Sequence, residues 1–155
     1  MQWDEVLKWL LSNQGLAAWW PVLAVFPFLW RYLYRAYSRR ASRLEAFRLG
    51  SAMLDKASSE LVIFAKTASN AGGPERRALA TRARDLFDAI HTMELTVADP
   101  VLKAQLANAA DGVRAFERAV INWHGEHDCD NTQREAGMAA IQRVELSADK
   151  LRSLL

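Results

Sequence analysis

The chain has 155 residues, with 20 Lys and Arg against 18 Asp and Glu, and is 51% hydrophobic with 7 Gly and 4 Pro. That length suits one compact domain, and that composition excludes a disordered or fibrous protein. A net charge of +2 is too balanced for a surface that wraps nucleic acid, and a single cysteine excludes both an internal disulfide framework and a cysteine-based zinc finger.

The averages hide a segregated chain. At the start, Trp3, Val6, Leu7, Leu10 and Leu11 recur on one helical face, while Asp4, Glu5 and Lys8 fall mostly off it. Residues 1–14 therefore read as a short amphipathic helix lying in a membrane interface. The run Ser12-Asn13-Gln14-Gly15 reads as a break after it.

From Trp9 to Trp30 no residue is charged, and Leu16 to Trp30 is almost wholly apolar. A bilayer core about 30 Å thick needs about 20 helical residues to cross it, so residues 15–35 read as a single-pass transmembrane anchor. Trp19 and Trp20 lie near one end, and Trp30, Tyr32 and Tyr34 cluster at the other, the aromatic placement that membrane–water interfaces favour. Arg31 and Arg35 reach headgroups by snorkelling, and Pro21 and Pro27 are tolerated in a membrane helix.

Orientation follows from the flanks. Arg31, Arg35, Arg39, Arg40, Arg43 and Arg48 face a single acid, Glu45, whereas the other flank carries Asp4 and Glu5 against Lys8. The positive-inside rule places the N-terminus outside and the C-terminal part in the cytoplasm, at the cell inner membrane. The acidic start and the lack of an A-x-A site argue against a cleaved signal peptide. Arginine- and alanine-rich usage suits a GC-rich bacterial genome.

Residues 36–155 read as a cytoplasmic helical bundle. With no proline between Pro27 and Pro74, the anchor helix is expected to run on into it. Phe47, Leu54 and Leu61 are seven apart, each followed at three residues by Gly50, Ala57 and Phe64. That heptad-like stripe is the expected contact surface for a partner helix. A second helix is expected over about Glu75–Val97, with Leu79, Ala83, Leu86, Ile90, Met93 and Val97 on its apolar stripe. Asp99 should cap a third helix with Pro100 at its first position, and Leu102, Leu106, Ala109, Val113, Phe116, Val120 and Trp123 continue the rhythm. Thr132-Gln133-Arg134-Glu135 has capping-box spacing and should open a fourth, with Ile141, Val144, Ala148, Leu151 and Leu155 as its stripe. The expected fold class is all-α, a single-pass transmembrane helix followed by an up-down four-helix bundle.

Chemistry is sparse. His124 and His127 share a helical face and, with Cys129, form the one cluster that could grip a metal. No H-E-x-x-H or paired C-x-x-C spacing supports such a site, and a solvated helix end is the expected role. His91 and Glu94, three apart, are expected to share a surface hydrogen bond. Arg76, Arg77, Arg82 and Arg84 are expected to find carboxylates such as Asp85 and Asp88 or neighbouring helices. No phosphate-loop motif is present.

The expectation is a non-catalytic scaffold or signal-relay protein without a cofactor, in contact with membrane lipid and with a cytosolic or membrane protein, or with copies of itself. A different class, a membrane-disrupting effector or pore subunit, would use the aromatics and prolines as a kinked wall. The lack of polar lining residues between Leu16 and Trp30 counts against it. A metal-dependent enzyme at His124 and His127 is the third reading.

Overall fold

In a computed structural model the described residues are Lys8, 13–122 and 129–155, with side chains described at Lys8, 25–122 and 132–155. Among them the chain is all-α, without a strand: α1 (Asn13–Ala68), α2 (Gly73–Thr96), α3 (Pro100–Ile121) and α4 (Cys129–Arg152). It divides into two compact units, Met1–Ser42 and Arg43–Leu155.

The amphipathic helix expected over 1–14 falls mostly outside the described residues. The break expected after it is not where the sequence placed it, because Asn13, Gln14 and Gly15 already form the first turn of α1. A helical glycine costs only about 1 kcal/mol relative to alanine, so a local turn signal does not by itself stop a helix. The α1 backbone also runs through Pro21 and Pro27 and, as expected, continues without interruption into the bundle residues. No helix among the described residues is long and apolar enough to cross a membrane. The first ten residues of the anchor expected over 15–35 lie outside the described side chains.

The second unit is built from the later part of α1 with α2, α3 and α4. The connector after α1 turns on the backbone hydrogen bonds Asn70 to Thr67 and Ala71 to Ala68. Glu75 then accepts the Gly72 N–H at 3.1 Å, and Pro74 sits in the first turn of α2, where its missing N–H costs nothing. Asp99 opens α3 as expected: its Oδ1 accepts from the Val101 and Leu102 N–H groups at 2.9 and 3.1 Å. Its Oδ2 meets Arg43 Nε at 2.6 Å, tying the start of α3 to the first residue of this unit. A cap of this kind is worth about 1 kcal/mol.

One position reports the topology. A Cβ on Gly50 would lie 2.8 Å from Leu102 Cδ1, 3.5 Å from Leu151 Cδ1 and 3.6 Å from Met93 Cε. Met93 lies near the end of α2, Leu102 at the start of α3 and Leu151 near the end of α4. Starts and ends alternate around Gly50, so the four segments run up, down, up and down. They enclose a single core in which Leu54, Leu61, Ile90, Leu102, Leu106, Val113, Phe116, Val120, Val144 and Leu151 are fully buried.

The predicted stripes map onto this core with two exceptions. Every described member of the α3 stripe is buried, and the α2 stripe alternates buried Leu79, Ala83 and Ile90 with half-buried Leu86, Met93 and Val97. Trp123 lies outside the described residues. Leu155, expected to close the α4 stripe, is exposed because α4 ends at Arg152 and the helical period no longer applies. At its other end α4 begins at Cys129, three residues before the predicted capping box.

At Gly112 α3 lies close against α4. A Cβ there would meet Val144 Cγ2 at 3.0 Å and the Ala140 carbonyl oxygen at 3.1 Å. A backbone oxygen cannot step aside without moving its helix. Gly112→Val is therefore expected to destabilise the bundle by about 1–3 kcal/mol through overpacking, read as a lower urea midpoint. An unchanged midpoint would show that the two helices are not in close contact at this level.

Candidate membrane-contact surface

Residues 25–42 of the first unit are all exposed. Large apolar side chains there are 54–77% exposed, from Val25 through Phe28, Trp30 and Tyr32 to Tyr37. A patch of exposed apolar side chains of this extent marks an interaction surface.

Helical geometry orders the patch. At 3.6 residues per turn, Phe26, Trp30, Leu33, Tyr34 and Tyr37 fall on one flank. The Phe26 and Trp30 rings stack at 6.3 Å between centroids and 23° between planes. Trp30, Leu33, Tyr34 and Tyr37 line one apolar cleft of about 220 Å³. Arg31, Arg35 and Arg39 follow one another at four-residue spacing on the opposite flank, accompanied by Ser38 and Ser42. Both serine hydroxyls donate back into the helix, Ser38 to the Arg35 carbonyl and Ser42 to the Arg39 carbonyl, each at 3.1 Å. Up to Tyr32 apolar groups occupy both flanks, since Phe28 and Tyr32 lie on the side that Arg35 and Arg39 continue. From Leu33 to Tyr37 the flanks differ chemically, and Arg40, seven residues after Leu33, then brings a charge to the apolar side.

Of the anchor residues expected from sequence, Trp30, Arg31, Tyr32, Tyr34 and Arg35 are all exposed on this surface. Trp19 and Trp20 are helical, and their side chains lie outside the described residues. Phe26, Leu33 and Tyr37, which the sequence reading does not pick out, and Arg39, which it uses only for orientation, belong to the same two flanks. Their three- and four-residue spacing to Trp30, Tyr34 and Arg35 is the signal that identifies them.

The expected partner stripe is placed differently. Phe47, Gly50, Leu54, Ala57, Leu61 and Phe64 are all buried in the second unit. Their partner helices are α2, α3 and α4 of the same chain, as the surroundings of Gly50 show. None of the six is left for another molecule. The small residues do permit close helix approach, within the chain.

His124 and His127 lie outside the described residues, and Cys129 opens α4 with its side chain outside them. Among the described residues no group of three His, Cys, Asp or Glu side chains is placed to hold a metal ion. His91 and Glu94 share the expected surface contact, Nδ1 to Oε2 at 2.9 Å. His91 also stacks on Phe87 at 5.5 Å, and Arg114 from α3 covers that ring at 4.4 Å. Arg84 reaches Glu117 across to α3 at 2.9 Å rather than Asp85 or Asp88 on its own helix.

Two smaller features lie on the bundle. Val62, Ala65, Met138 and Ile141 floor an apolar cleft of about 230 Å³ edged by Lys66, Ser69 and Arg134. Elsewhere Arg152 bridges Asp55 at 2.5 Å and Asp149 at 2.9 Å, and Ser58 donates to Glu145 at 3.2 Å. The hydrogen bond to Asp55, then that carboxylate's charge, hold the Arg152 guanidinium above its ordinary pKa. Exposed pairs of this kind contribute little to stability. Neither feature brings together a nucleophile, a base and an oxyanion donor. Comparison with known proteins finds no matching family, no similar curated protein and no similar solved structure.

Proposed function

We propose that this chain is a membrane-anchored, non-catalytic interaction protein whose N-terminal helix holds a four-helix bundle beside a lipid bilayer. One observation carries the reading: the apolar and aromatic side chains of 25–37 stand exposed on a stretch of α1 whose only charged groups are Arg31 and Arg35. In water that surface is costly. Against acyl chains and headgroups it is favourable. The uncharged stretch from Trp9 to Trp30 supports a single-pass anchor over 15–35. The arginines from Arg31 to Arg48 support an orientation with the N-terminus outside and the bundle in the cytoplasm.

The bundle is the part offered to protein partners. Because its heptad stripe is internal, a partner engages its outer surface, and the stripe serves to keep the bundle folded. The described side chains offer an interaction surface and no assembled chemistry.

Membrane fractionation of Val25→Asp tests the anchor. An aspartate near the middle of a span costs about 3 kcal/mol, so the variant should partition into membranes about a hundredfold less than the wild type. Its bundle should keep its unfolding midpoint, since Val25 lies outside that unit. A variant that stays with the membrane as fully as the wild type would remove the anchor from this reading.

A further inference from the structure

Arg31, Arg35 and Arg39 recur one helical turn apart on a single flank, and each is exposed. None makes an ion pair among the described residues. Arg43, the next arginine toward the bundle on this side of the helix, does find a carboxylate, that of Asp99. The row has no acid near it in sequence, because no acidic residue occurs between Glu5 and Glu45. Like charges four residues apart on a helix repel one another, so this row gains from counter-charge supplied from outside.

We propose that Arg31, Arg35 and Arg39 form a headgroup-binding flank that selects anionic phospholipid. The proposal rests on the membrane reading above and adds to it the chemistry of the lipid. Guanidinium groups bind phosphate oxygens in bidentate fashion and keep their charge at any physiological pH. The opposite flank sets their depth: Trp30, Tyr34 and Tyr37 prefer the level where acyl chains give way to headgroups, which holds the arginines at the phosphates. A helix tilted in the bilayer presents its two flanks to these two layers over several turns. Ser38 and Ser42 do not compete for the phosphates, because their hydroxyl protons are engaged with the helix's own carbonyls. An acidic protein would satisfy the arginines but leave the aromatic flank and the apolar turns before Leu33 in water. A bilayer covers both.

The test is equilibrium co-flotation of the full chain with vesicles of phosphatidylcholine alone or with added phosphatidylglycerol. The wild type should prefer the anionic vesicles, and the preference should weaken with salt. Each cation beside an anionic leaflet is worth about fivefold in partitioning. The variant Arg31→Gln/Arg35→Gln/Arg39→Gln should therefore lose on the order of a hundredfold on anionic vesicles, with binding to neutral ones unchanged. A charge-matched variant on the bundle, Arg77→Gln/Arg82→Gln/Lys103→Gln, should retain the preference. Equal wild-type binding to both vesicle types would overturn the headgroup assignment while leaving the anchor in place. So would a triple variant that keeps its preference, or a bundle control that loses as much. Failure of the wild type to bind either vesicle would remove the anchor and the headgroup site together, and a dimeric elution volume would then assign the aromatic flank to a second copy of the chain.

Discussion

Replacing Phe116 with alanine should lower the unfolding free energy of the bundle by about 3–5 kcal/mol, among the largest losses expected of any single truncation in this chain. Phe116 is the largest of the fully buried side chains. It sits on α3, which packs against both α2 and α4, so a cavity there is felt by three helices at once. A close-packed interior relaxes only partly around such a void, and the lost contacts add to the lost transfer energy. Small domains have about 5–15 kcal/mol of total stability, so the variant should be partly unfolded at modest urea concentrations. Ile121→Ala on the same helix is the comparison. Ile121 is exposed, and its truncation should change stability by about 0.5 kcal/mol or less. A loss under about 1 kcal/mol for Phe116→Ala would mean that this residue does not sit at the centre of the core.

The residues that make Phe116 predictable also show what periodicity does and does not reveal. The α3 stripe was legible because its apolar positions stay in phase from Leu102 to Val120 and its start carries two independent signals, Asp99 and Pro100. The stripe from Phe47 to Phe64 was equally legible as a buried face. What periodicity does not carry is the identity of the covering surface. A heptad reads alike whether the partner is another chain or α2, α3 and α4 of the same one. Gly50 illustrates the point, since a small residue flags close approach without saying to what. Local signals failed where the helix overrode them: Asn13, Gln14 and Gly15 resemble a turn in isolation but belong to a helix that continues to Ala68.

The candidate membrane surface was legible in part, for a related reason. Trp30, Tyr32 and Tyr34 stand out because they cluster in sequence, as do Arg31 and Arg35. Tyr37 is separated from those clusters and, like the flank to which Arg39 belongs, becomes legible only once the chain is wound at 3.6 residues per turn. The winding then splits one mixed run into an aromatic flank and a basic flank. The basic flank begins at Arg31, so the described stretch from Val25 to Trp30 is uncharged all round and the helix is two-faced after it. That change along one helix is what a passage from acyl chains into headgroups demands.

Two proline substitutions in α1 should have opposite consequences, although each carries a nominal cost of about 3 kcal/mol or more. Ala41→Pro removes the hydrogen bond to the Tyr37 carbonyl and crowds that turn, where every residue from Val25 to Glu45 is exposed. Among the described side chains of α1 the first buried one is Phe47, so the cost falls outside the core and the urea midpoint of the bundle should not move. Ala57→Pro does the same damage opposite Met53, between the fully buried Leu54 and Leu61. That helix turn cannot distort without displacing the core, and losing 3 kcal/mol or more from a stability of about 5–15 should unfold much of the bundle. Urea unfolding followed by circular dichroism reads the bundle in both variants. Limited trypsin digestion reads the break in the first, as faster cleavage beside Arg35 and Arg39. A midpoint for Ala41→Pro as low as that of Ala57→Pro would show that the two units unfold as one, with the exposed stretch carrying real stability. If the midpoint holds, folding of the bundle is separable from the proposed attachment to a membrane. The Ala41→Pro protein should then remain in the membrane fraction with an intact bundle. Any activity it loses would depend on an unbroken helix between anchor and bundle, and not on either unit alone.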